Sequence, residues 1–271
     1  MKNKNITIIL PIHDVSGEFD KWFEKAILSL SNSTVQPDKL LLVCADNTEV
    51  RSRIDKFESP SGFTSSIIYN DGDTTFCGQI NYGVSKCETE YFSILEFDDE
   101  YSNIWIKNFQ NYVPHYEDVD IFLPLVVDVD ATGNFLSFTN EALWAMGFSE
   151  DVGYLDNNTL LKYQNFQVSG MIMKKSAFES MGGMKSSIKL TFNYEFLLRA
   201  TYNDVVIMSI PKVGYKHTNQ RPNSLFWNYK NSGDYIISQD EAKFWIDSAK
   251  QEYFFQQDRE VKFDPNKEHV N

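Results

Sequence analysis

A strand-length apolar run that ends in a cluster of acids constrains this chain more than any other feature. Residues 91–95 lead directly into Glu96, Asp98, Asp99 and Glu100. Like charges this close repel one another unless a cation lies between them, and carboxylate oxygens are ligands that suit Mg²⁺ or Mn²⁺. Open α/β sheets bind ligands at the carboxyl ends of their strands. The cluster therefore predicts a metal-assisted site for a phosphorylated substrate, with a solvated acidic turn as the alternative.

The composition limits the partners that the protein can have. Its 271 residues suit one large domain, with or without an appendage, and the formal net charge is −13. An acidic surface argues against nucleic acid and against an anionic membrane. Cys44, Cys77 and Cys87 lack metal-type spacing, and the sequence has neither a signal-like segment nor an apolar run of membrane-spanning length. We therefore expect a cytoplasmic protein that binds no nucleic acid and has no transmembrane segment.

Strand and helix patterns alternate in the first half of the chain. Four apolar runs predict strands, at residues 6–12, 40–45, 66–69 and 91–97. Helical periodicity lies between them, around residues 22–30 and 78–86. Continuously apolar strands are typical of a sheet that is covered on both faces. The pattern therefore predicts a mostly parallel α/β sheet flanked by helices.

The second half is less regular. Strands are predicted at 120–127, 166–173 and 205–210, and helices at 104–113, 176–181 and 194–202. Pro124 lacks an N–H donor, so the strand that contains it is expected at a sheet edge. Residues 133–165 are expected to form a loop-rich excursion over the site. We expect residues 1–226 to form one domain and 227–271 a helical extension that packs on the core or on a second copy of the chain.

Several short motifs follow one another between residues 6 and 226. They are Pro11-Ile12-His13-Asp14, Asp46 after the second strand, Gln79 to Gly83, the acidic cluster, Glu179 to Gly183, and Tyr215-Lys216-His217 with Ser224. Their order resembles that of the GT-A glycosyltransferases of the family-2 type. The acidic cluster is similar to that family's Asp-x-Asp-Asp metal motif, with Glu96 replacing the first Asp.

The resemblance implies a GT-A (Rossmann-like) fold and transfer of a sugar from a nucleoside diphosphate donor, a UDP-sugar by default. The acceptor would be a hydroxyl of a glycan, and the cofactor Mn²⁺ or Mg²⁺. The metal would be bound by Asp98 and His217. The donor would be contacted by residues from several motifs: Pro11, His13, Asp46, Asn81, Glu96 and Asp98.

The catalytic base is the point at which the chain departs from the family pattern. Inverting members place a carboxylate where this chain has Asn193, and an amide cannot accept a proton as a carboxylate does. Three explanations stay open: Glu195 acts as the base, the reaction retains configuration, or the protein binds donor without transferring it. Asp99 joins Asn193 and Glu195 in the candidate catalytic group. A sugar nucleotidyltransferase is a further alternative, but the glycine-rich loop expected after the first strand is absent.

Aromatic side chains suggest where an acceptor sugar could lie. Trp144, Phe148, Tyr154 and Tyr163 fall in the excursion, and Trp227 follows the last motif. Sugar rings stack on aromatic faces, so these residues could form an acceptor surface. Packing in the core explains most of them equally well.

Overall fold

The structure is a computed structural model, and it describes residues 3–15, 17–141, 153–188, 190–219, 221 and 239–255. The strands are β1 (Ile6–Ile12), β2 (Lys39–Ala45), β3 (Thr64–Asn70), β4 (Tyr91–Ile94), β5 (Glu100–Tyr101), β6 (Ile121–Val129), β7 (Phe135–Thr139), β8 (Tyr154–Leu155), β9 (Ile172–Lys174) and β10 (Ile207–Thr218). The helices are α1 (Phe19–Ser31), α2 (Thr48–Ile54), α3 (Phe76–Lys86), α4 (Trp105–Tyr112), α5 (Asn157–Lys162), α6 (Lys175–Ser180), α7 (Phe192–Tyr202) and α8 (Gln239–Phe255).

All the strands of the described residues belong to one sheet. Its order is β3-β2-β1-β4-β9-β6-β10-β5, with β7 paired to β6 and β8 paired to β10. The first four positions are parallel, and so is the long pairing of β6 with β10. Strand β9 runs antiparallel to both of its neighbours and joins these two parallel parts. The predicted mostly parallel sheet is confirmed.

Helices cover both faces of the sheet, which explains why the first strands are apolar at every position. Ile8 and Leu10 of β1 face the side that holds α1 and α4, whereas Ile9 faces the side that holds α3 and α7. Helix α3 approaches the sheet closely at Gly83, where a Cβ would lie 2.8 Å from a methyl of Ile9 and 2.9 Å from one of Val43. A glycine is therefore required there for the helix to pack on the strands.

The expectation that Pro124 marks an edge strand is wrong. Strand β6 is interior, with β10 on one side and β9 and β7 on the other. Strand β9 pairs only as far as Phe122, and β7 begins to pair at Val126, so Pro124 lies in a gap between them. On the other side, the register with β10 shifts directly after Pro124. A residue without an N–H donor is tolerated at such an irregularity.

Three other strand boundaries differ from the sequence prediction. The fourth strand ends at Ile94, before the acids. The strand predicted over 166–173 is reduced to β9, because the chain turns at Gly170, which has a φ of +74°. The strand predicted over 205–210 extends to Thr218, so that β10 reaches the acidic cluster.

The C-terminal helix α8 packs against α7. Ala249 is fully buried, and the Thr191 hydroxyl donates to the Trp245 carbonyl at 2.8 Å. The expected boundary between residues 226 and 227 lies outside the described residues, as do Trp144, Phe148, Ser224 and Trp227. Among the described residues, no helix has both the length and the apolar character needed to cross a bilayer. Self-association through α8, where Phe244 is 60% exposed, stays a prediction.

Candidate functional site

The chain beyond β4 brings acidic side chains together with a histidine from β10. Glu96, Asp99 and His217 each offer one ligand atom, and these atoms lie within 4.8 Å of one another. They meet because β10 pairs with β5, which follows the acids directly. Two carboxylates and an imidazole thus converge at the carboxyl end of β4. Asp98, which was expected to be a direct metal ligand, is not one of these three.

Asp99 is fully buried and fixed at both oxygens. Its Oδ1 accepts from the backbone N–H of Thr218 at 2.7 Å, and its Oδ2 lies 3.0 Å from Nδ1 of His217. Both contacts come from the last two residues of β10. A buried carboxylate needs such partners, because an unpaired one would be costly. Asp99 therefore ties the acidic turn to the end of β10 and also orients the His217 ring.

Glu96 is partly buried and is held by a hydroxyl. Its Oε1 accepts from Ser169 Oγ at 2.6 Å, and its backbone N–H donates to the Tyr215 hydroxyl at 3.0 Å. Ser169 precedes the turn at Gly170, where a Cβ would lie 2.5 Å from the Tyr215 ring. The turn before β9 and the tyrosine of β10 therefore determine together where Glu96 lies.

The electrostatics of the cluster favour a bound cation. Burial, followed by the negative charge of Asp99, raises the pKa of Glu96 to about 7. Burial alone would lower the pKa of His217, but the charge and hydrogen bond of Asp99 outweigh it and raise that pKa to about 10. Because burial opposes the shift at His217, an imidazole that nevertheless retains its proton indicates an excess of negative charge around it. A cation placed here would relieve it.

The donor set fits a divalent cation of the Mg²⁺ or Mn²⁺ type. Carboxylate oxygens with one imidazole are suitable ligands for Mn²⁺, and Mg²⁺ commonly takes one or two carboxylates together with water and phosphate oxygens. Glu96, Asp99 and His217 would hold the ion, with the imidazole in its neutral form, since a histidine gives up its proton when it binds a metal. The raised pKa of Glu96 supports this assignment, because a cation would restore its charged form.

Asp98 is engaged by Arg221. The guanidinium Nε donates to Oδ2 of Asp98 at 2.5 Å, and the guanidinium carbon lies 4.9 Å from the centroid of the Phe97 ring. Arg221 is only 7% exposed. Burial and the neighbouring Asp99 raise the pKa of Asp98, while Arg221 acts in the opposite direction. The acid that the sequence placed on a metal is thus paired with an arginine of the same chain.

Two of the residues expected to contact the nucleotide-sugar lie at the end of β1, next to the acidic cluster. Pro11 is buried in β1, opposite Val43 of β2. His13 follows the strand, is exposed, and makes an edge-to-face contact with Phe97 at 6.3 Å between ring centroids. Since β1 and β4 are neighbours, both residues lie at the same edge of the sheet as the acids.

Asp46 lies at the end of β2 and forms an ion pair with Arg51. Its oxygens accept from Nε and Nη2 of Arg51 at 2.6 and 3.0 Å. The guanidinium carbon also lies 3.7 Å from the centroid of the Tyr69 ring. This pair lowers the pKa of Asp46, chiefly through the Arg51 hydrogen bond. The residue expected to contact the nucleotide is thus an exposed acid that is already paired with an arginine of the same chain.

Asn81 hydrogen-bonds a loop of the protein itself. Its amide donates to the carbonyl of Met184 and accepts from the N–H of Met184, both at 2.8 Å. Gly183 lies against it, since a Cβ there would approach Asn81 Oδ1 to 2.5 Å. Asn81 therefore holds the turn after α6 against α3.

The two base candidates of α7 differ in their surroundings. Glu195 is fully buried, and its oxygens accept from Nε and Nη2 of Arg199 at 2.6 and 3.1 Å, with Lys185 Nζ at 3.4 Å. Arg199 also donates to the carbonyls of Met181 and Gly183. Oδ1 of Asn193 is buried without a hydrogen-bond partner among the described residues.

Sequence reasoning missed Arg221 and Ser169. Arg221 lies four residues after His217 and is a basic side chain in an acidic protein, which is the signal that could have indicated it. Ser169 carries no such signal, because the pattern of the residues around it predicts a strand. Its role depends on the turn at Gly170.

The fold is shared with solved structures of TarS from S. aureus. No family model matches this chain, and no curated protein does. The TarS 1–349 complex with UDP-GlcNAc has a TM-score of 0.63 and 13% identity over 92% of this chain and 66% of the TarS chain. The complex with UDP has a TM-score of 0.58 and 15% identity over 79% and 60%, and TarS 1–349 a TM-score of 0.56 and 16% identity over 94% and 73%.

The chain spans 60 to 73% of the length of these TarS chains. At 13 to 16% identity the likeness concerns the fold. Together with the strand order described above, it confirms the architecture that the order of the motifs implied: this chain has the GT-A type of α/β fold.

Proposed function

We propose that the protein transfers a sugar from a nucleoside diphosphate donor, a UDP-sugar by default, to a hydroxyl of a glycan acceptor. The observation that carries this proposal is the convergence of Glu96, Asp99 and His217 at the carboxyl edge of a GT-A sheet. The structures of TarS in complex with UDP and with UDP-GlcNAc support a nucleotide-sugar as the donor.

The residues of the cluster suit departure of a diphosphate. A divalent cation bound there would act as a Lewis acid on the phosphate oxygens, where negative charge develops. Glu96 and Asp99 hold their geometry through Ser169 and the Thr218 backbone, so little reorganisation is needed when charge appears. His217 adds an imidazole that Asp99 keeps in one orientation.

The nucleotide would bind at the carboxyl edge formed by β1 and β2. We assign His13 and Pro11 to nucleotide binding because both lie beside the acidic cluster. Asp46 would contact the base or the ribose, since an exposed ion pair such as that with Arg51 is worth little and can be exchanged. Asn81 is assigned a supporting role in donor binding through the Met184 turn that it holds.

Which residue acts as the catalytic base stays a prediction. Glu195 carries a carboxylate, but Arg199 engages both of its oxygens. Asn193 cannot accept a proton as a carboxylate does, although its buried Oδ1 could accept a hydrogen bond from an acceptor hydroxyl. These two observations favour a second candidate function, a protein that binds nucleotide-sugar or glycan without transferring sugar.

Turnover separates the two functions. Release of UDP from UDP-GlcNAc should require Mn²⁺ in the wild type and fall by at least about a hundredfold in His217→Ala, a loss of the size that mutations in electrostatic sites cause. The exposed acid Glu58 offers a matched control, since Glu58→Ala should keep wild-type turnover. Donor binding without release of UDP or transfer of sugar would favour the binding protein.

A further inference from the structure

Arg221 is a fixed positive charge inside the acidic cluster. It lies three residues beyond the end of β10, is 7% exposed, and donates from Nε to Oδ2 of Asp98 at 2.5 Å. Phe97 provides a second contact, with its ring centroid 4.9 Å from the guanidinium carbon. An ion pair on one side and an aromatic face on the other hold the guanidinium in place.

This pairing gives Asp98 a partner that the other acids lack. Among the described residues, Glu96, Asp99 and His217 offer atoms that all lie within 4.8 Å of one another, and Asp98 is not part of that group. Asp98 is still close enough to Asp99 for the two charges to interact, so it lies beside the group. An arginine keeps its charge at any relevant pH. A divalent cation on Asp98 would therefore face a second positive charge at close range, and the two would repel strongly in a partly buried site.

We propose that Arg221 competes with the divalent cation for Asp98. The guanidinium holds Asp98 while the site is empty of donor, and it moves onto the diphosphate of the donor when cation and nucleotide enter together. The second step rests on the proposed function, whereas the competition for Asp98 does not. A guanidinium suits both partners, because its planar fork matches carboxylate and phosphate oxygens alike.

Coupling between cation and donor follows from this exchange. Without nucleotide, Glu96, Asp99 and His217 are the described residues that would hold the cation, and the nearby guanidinium limits its affinity. With nucleotide, Arg221 has a new partner and releases Asp98 to the cation. Each ligand then raises the affinity for the other by the same factor, as linkage requires.

Binding of Mn²⁺ in the absence of nucleotide tests the competition. The free Mn²⁺ signal in electron paramagnetic resonance gives the affinity without any activity measurement. We expect Arg221→Gln to bind Mn²⁺ about tenfold more tightly than the wild type, because the repelling charge is gone. Arg221→Lys should stay within about twofold of the wild type, because the charge is kept. Arg53→Gln, which breaks an exposed ion pair with Asp20, is the matched control and should change nothing.

Asp98→Asn in the Arg221→Gln background provides a second check. If Arg221 withholds Asp98 from the cation, the double variant should lose the tenfold gain of Arg221→Gln, because the carboxylate that was set free is no longer there. A double variant that binds Mn²⁺ as tightly as Arg221→Gln would show that the gain does not come from Asp98 and would overturn the proposal. Unchanged or weaker Mn²⁺ binding by a folded Arg221→Gln, checked by circular dichroism, would overturn it as well.

Titration with UDP at saturating Mn²⁺ tests the second step. We expect Arg221→Gln to bind UDP about tenfold more weakly than the wild type, because the diphosphate loses a guanidinium partner. Equal UDP affinity in the two proteins would overturn the movement of Arg221 onto the diphosphate. If the wild type binds no UDP, the proposed function fails together with this step. The Mn²⁺ affinities measured without nucleotide then still test whether Arg221 competes with the cation for Asp98.

Discussion

Each of the acids at the end of β4 has its own local partner. Glu96 is held by a hydroxyl, Asp98 by a guanidinium, and Asp99 by a backbone N–H and an imidazole. A cluster that looks uniform in the sequence therefore becomes a set of distinct groups. The raised pKa of His217, which burial alone would lower, marks the part of the cluster where negative charge is in excess.

Glu96→Gln should stabilise the metal-free protein, and more so at high pH. The pKa of Glu96 is raised to about 7 in the folded protein, so the folded state binds this proton more tightly than the unfolded state does. The ionised form of Glu96 therefore destabilises the folded state. This destabilisation is absent below the unfolded pKa of about 4.5, grows as the pH rises, and is complete above about 7. We expect a gain on the order of 2 kcal/mol at pH 8 and almost none at pH 4, measured by urea unfolding with a chelator present. A gain that is equal at both pH values would contradict the assignment.

Glu195→Gln should destabilise the fold. The substitution leaves the buried guanidinium of Arg199 without its counter-charge, and removing one partner of a buried pair typically costs about 3 kcal/mol. Chemical denaturation of the variant measures this cost. Glu49→Gln, an exposed acid in the first turn of α2, is the control. A variant as stable as the wild type would mean that the pair with Arg199 contributes little and would strengthen the case for Glu195 as the base.

At the scale of elements, the turn at Gly170 links three parts of the site. Its φ is +74°, and the carbonyl of Gly170 accepts from Trp105 Nε1 at 2.8 Å. We expect Gly170→Ala to lower stability by about 2 kcal/mol or more, because the Cβ meets the Tyr215 ring and the left-handed backbone becomes strained. Gly133→Ala is the matched control, since it has a similar positive φ but open space around it. Thermal unfolding of both variants separates the two effects, because only Gly170→Ala crowds the Tyr215 ring while both variants strain the backbone. An equal loss of stability in the two variants would contradict a role for the Tyr215 contact.

The sequence predicts elements well where burial on both faces leaves a continuous apolar pattern, as in β1 and β2. It fails where pairing is irregular. Pro124 predicts an edge strand, but it lies in an interior strand beside the gap between β9 and β7. The sequence does not show this gap, because it depends on contacts between distant parts of the chain. The motifs indicate the acids and His217, because carboxylates and imidazoles in this order are typical of a metal site. They do not indicate the partners that hold these acids in place. The hydroxyl of Ser169 and the guanidinium of Arg221 reach the site through the turn at Gly170 and the end of β10, which the motifs do not describe.

For the whole molecule, a cation in the cluster should stabilise the fold by mass action. An ion that binds only the folded state, at a hundred times its dissociation constant, contributes about 2.7 kcal/mol. We expect Mn²⁺ to raise the melting temperature of the wild type in a saturable way and to have little effect on His217→Ala. An equal rise in both proteins would indicate cation binding elsewhere on the acidic surface.

The order of the sheet places the proposed donor and cation sites at one edge of the molecule. Strands β2, β1 and β4 are neighbours, and their carboxyl ends carry Asp46, His13 and the acidic cluster respectively. Strand β10 supplies His217 from the second parallel part of the sheet. The proposed function therefore depends on both parts of the sheet.

Calorimetric titration with UDP, with and without Mn²⁺, on the wild type and on His217→Ala tests the central claim most directly. The account predicts that the wild type binds UDP only when Mn²⁺ is present, and that His217→Ala loses this binding while remaining folded. Binding of UDP by the wild type without Mn²⁺, or Mn²⁺-dependent binding that persists in His217→Ala, would contradict the account.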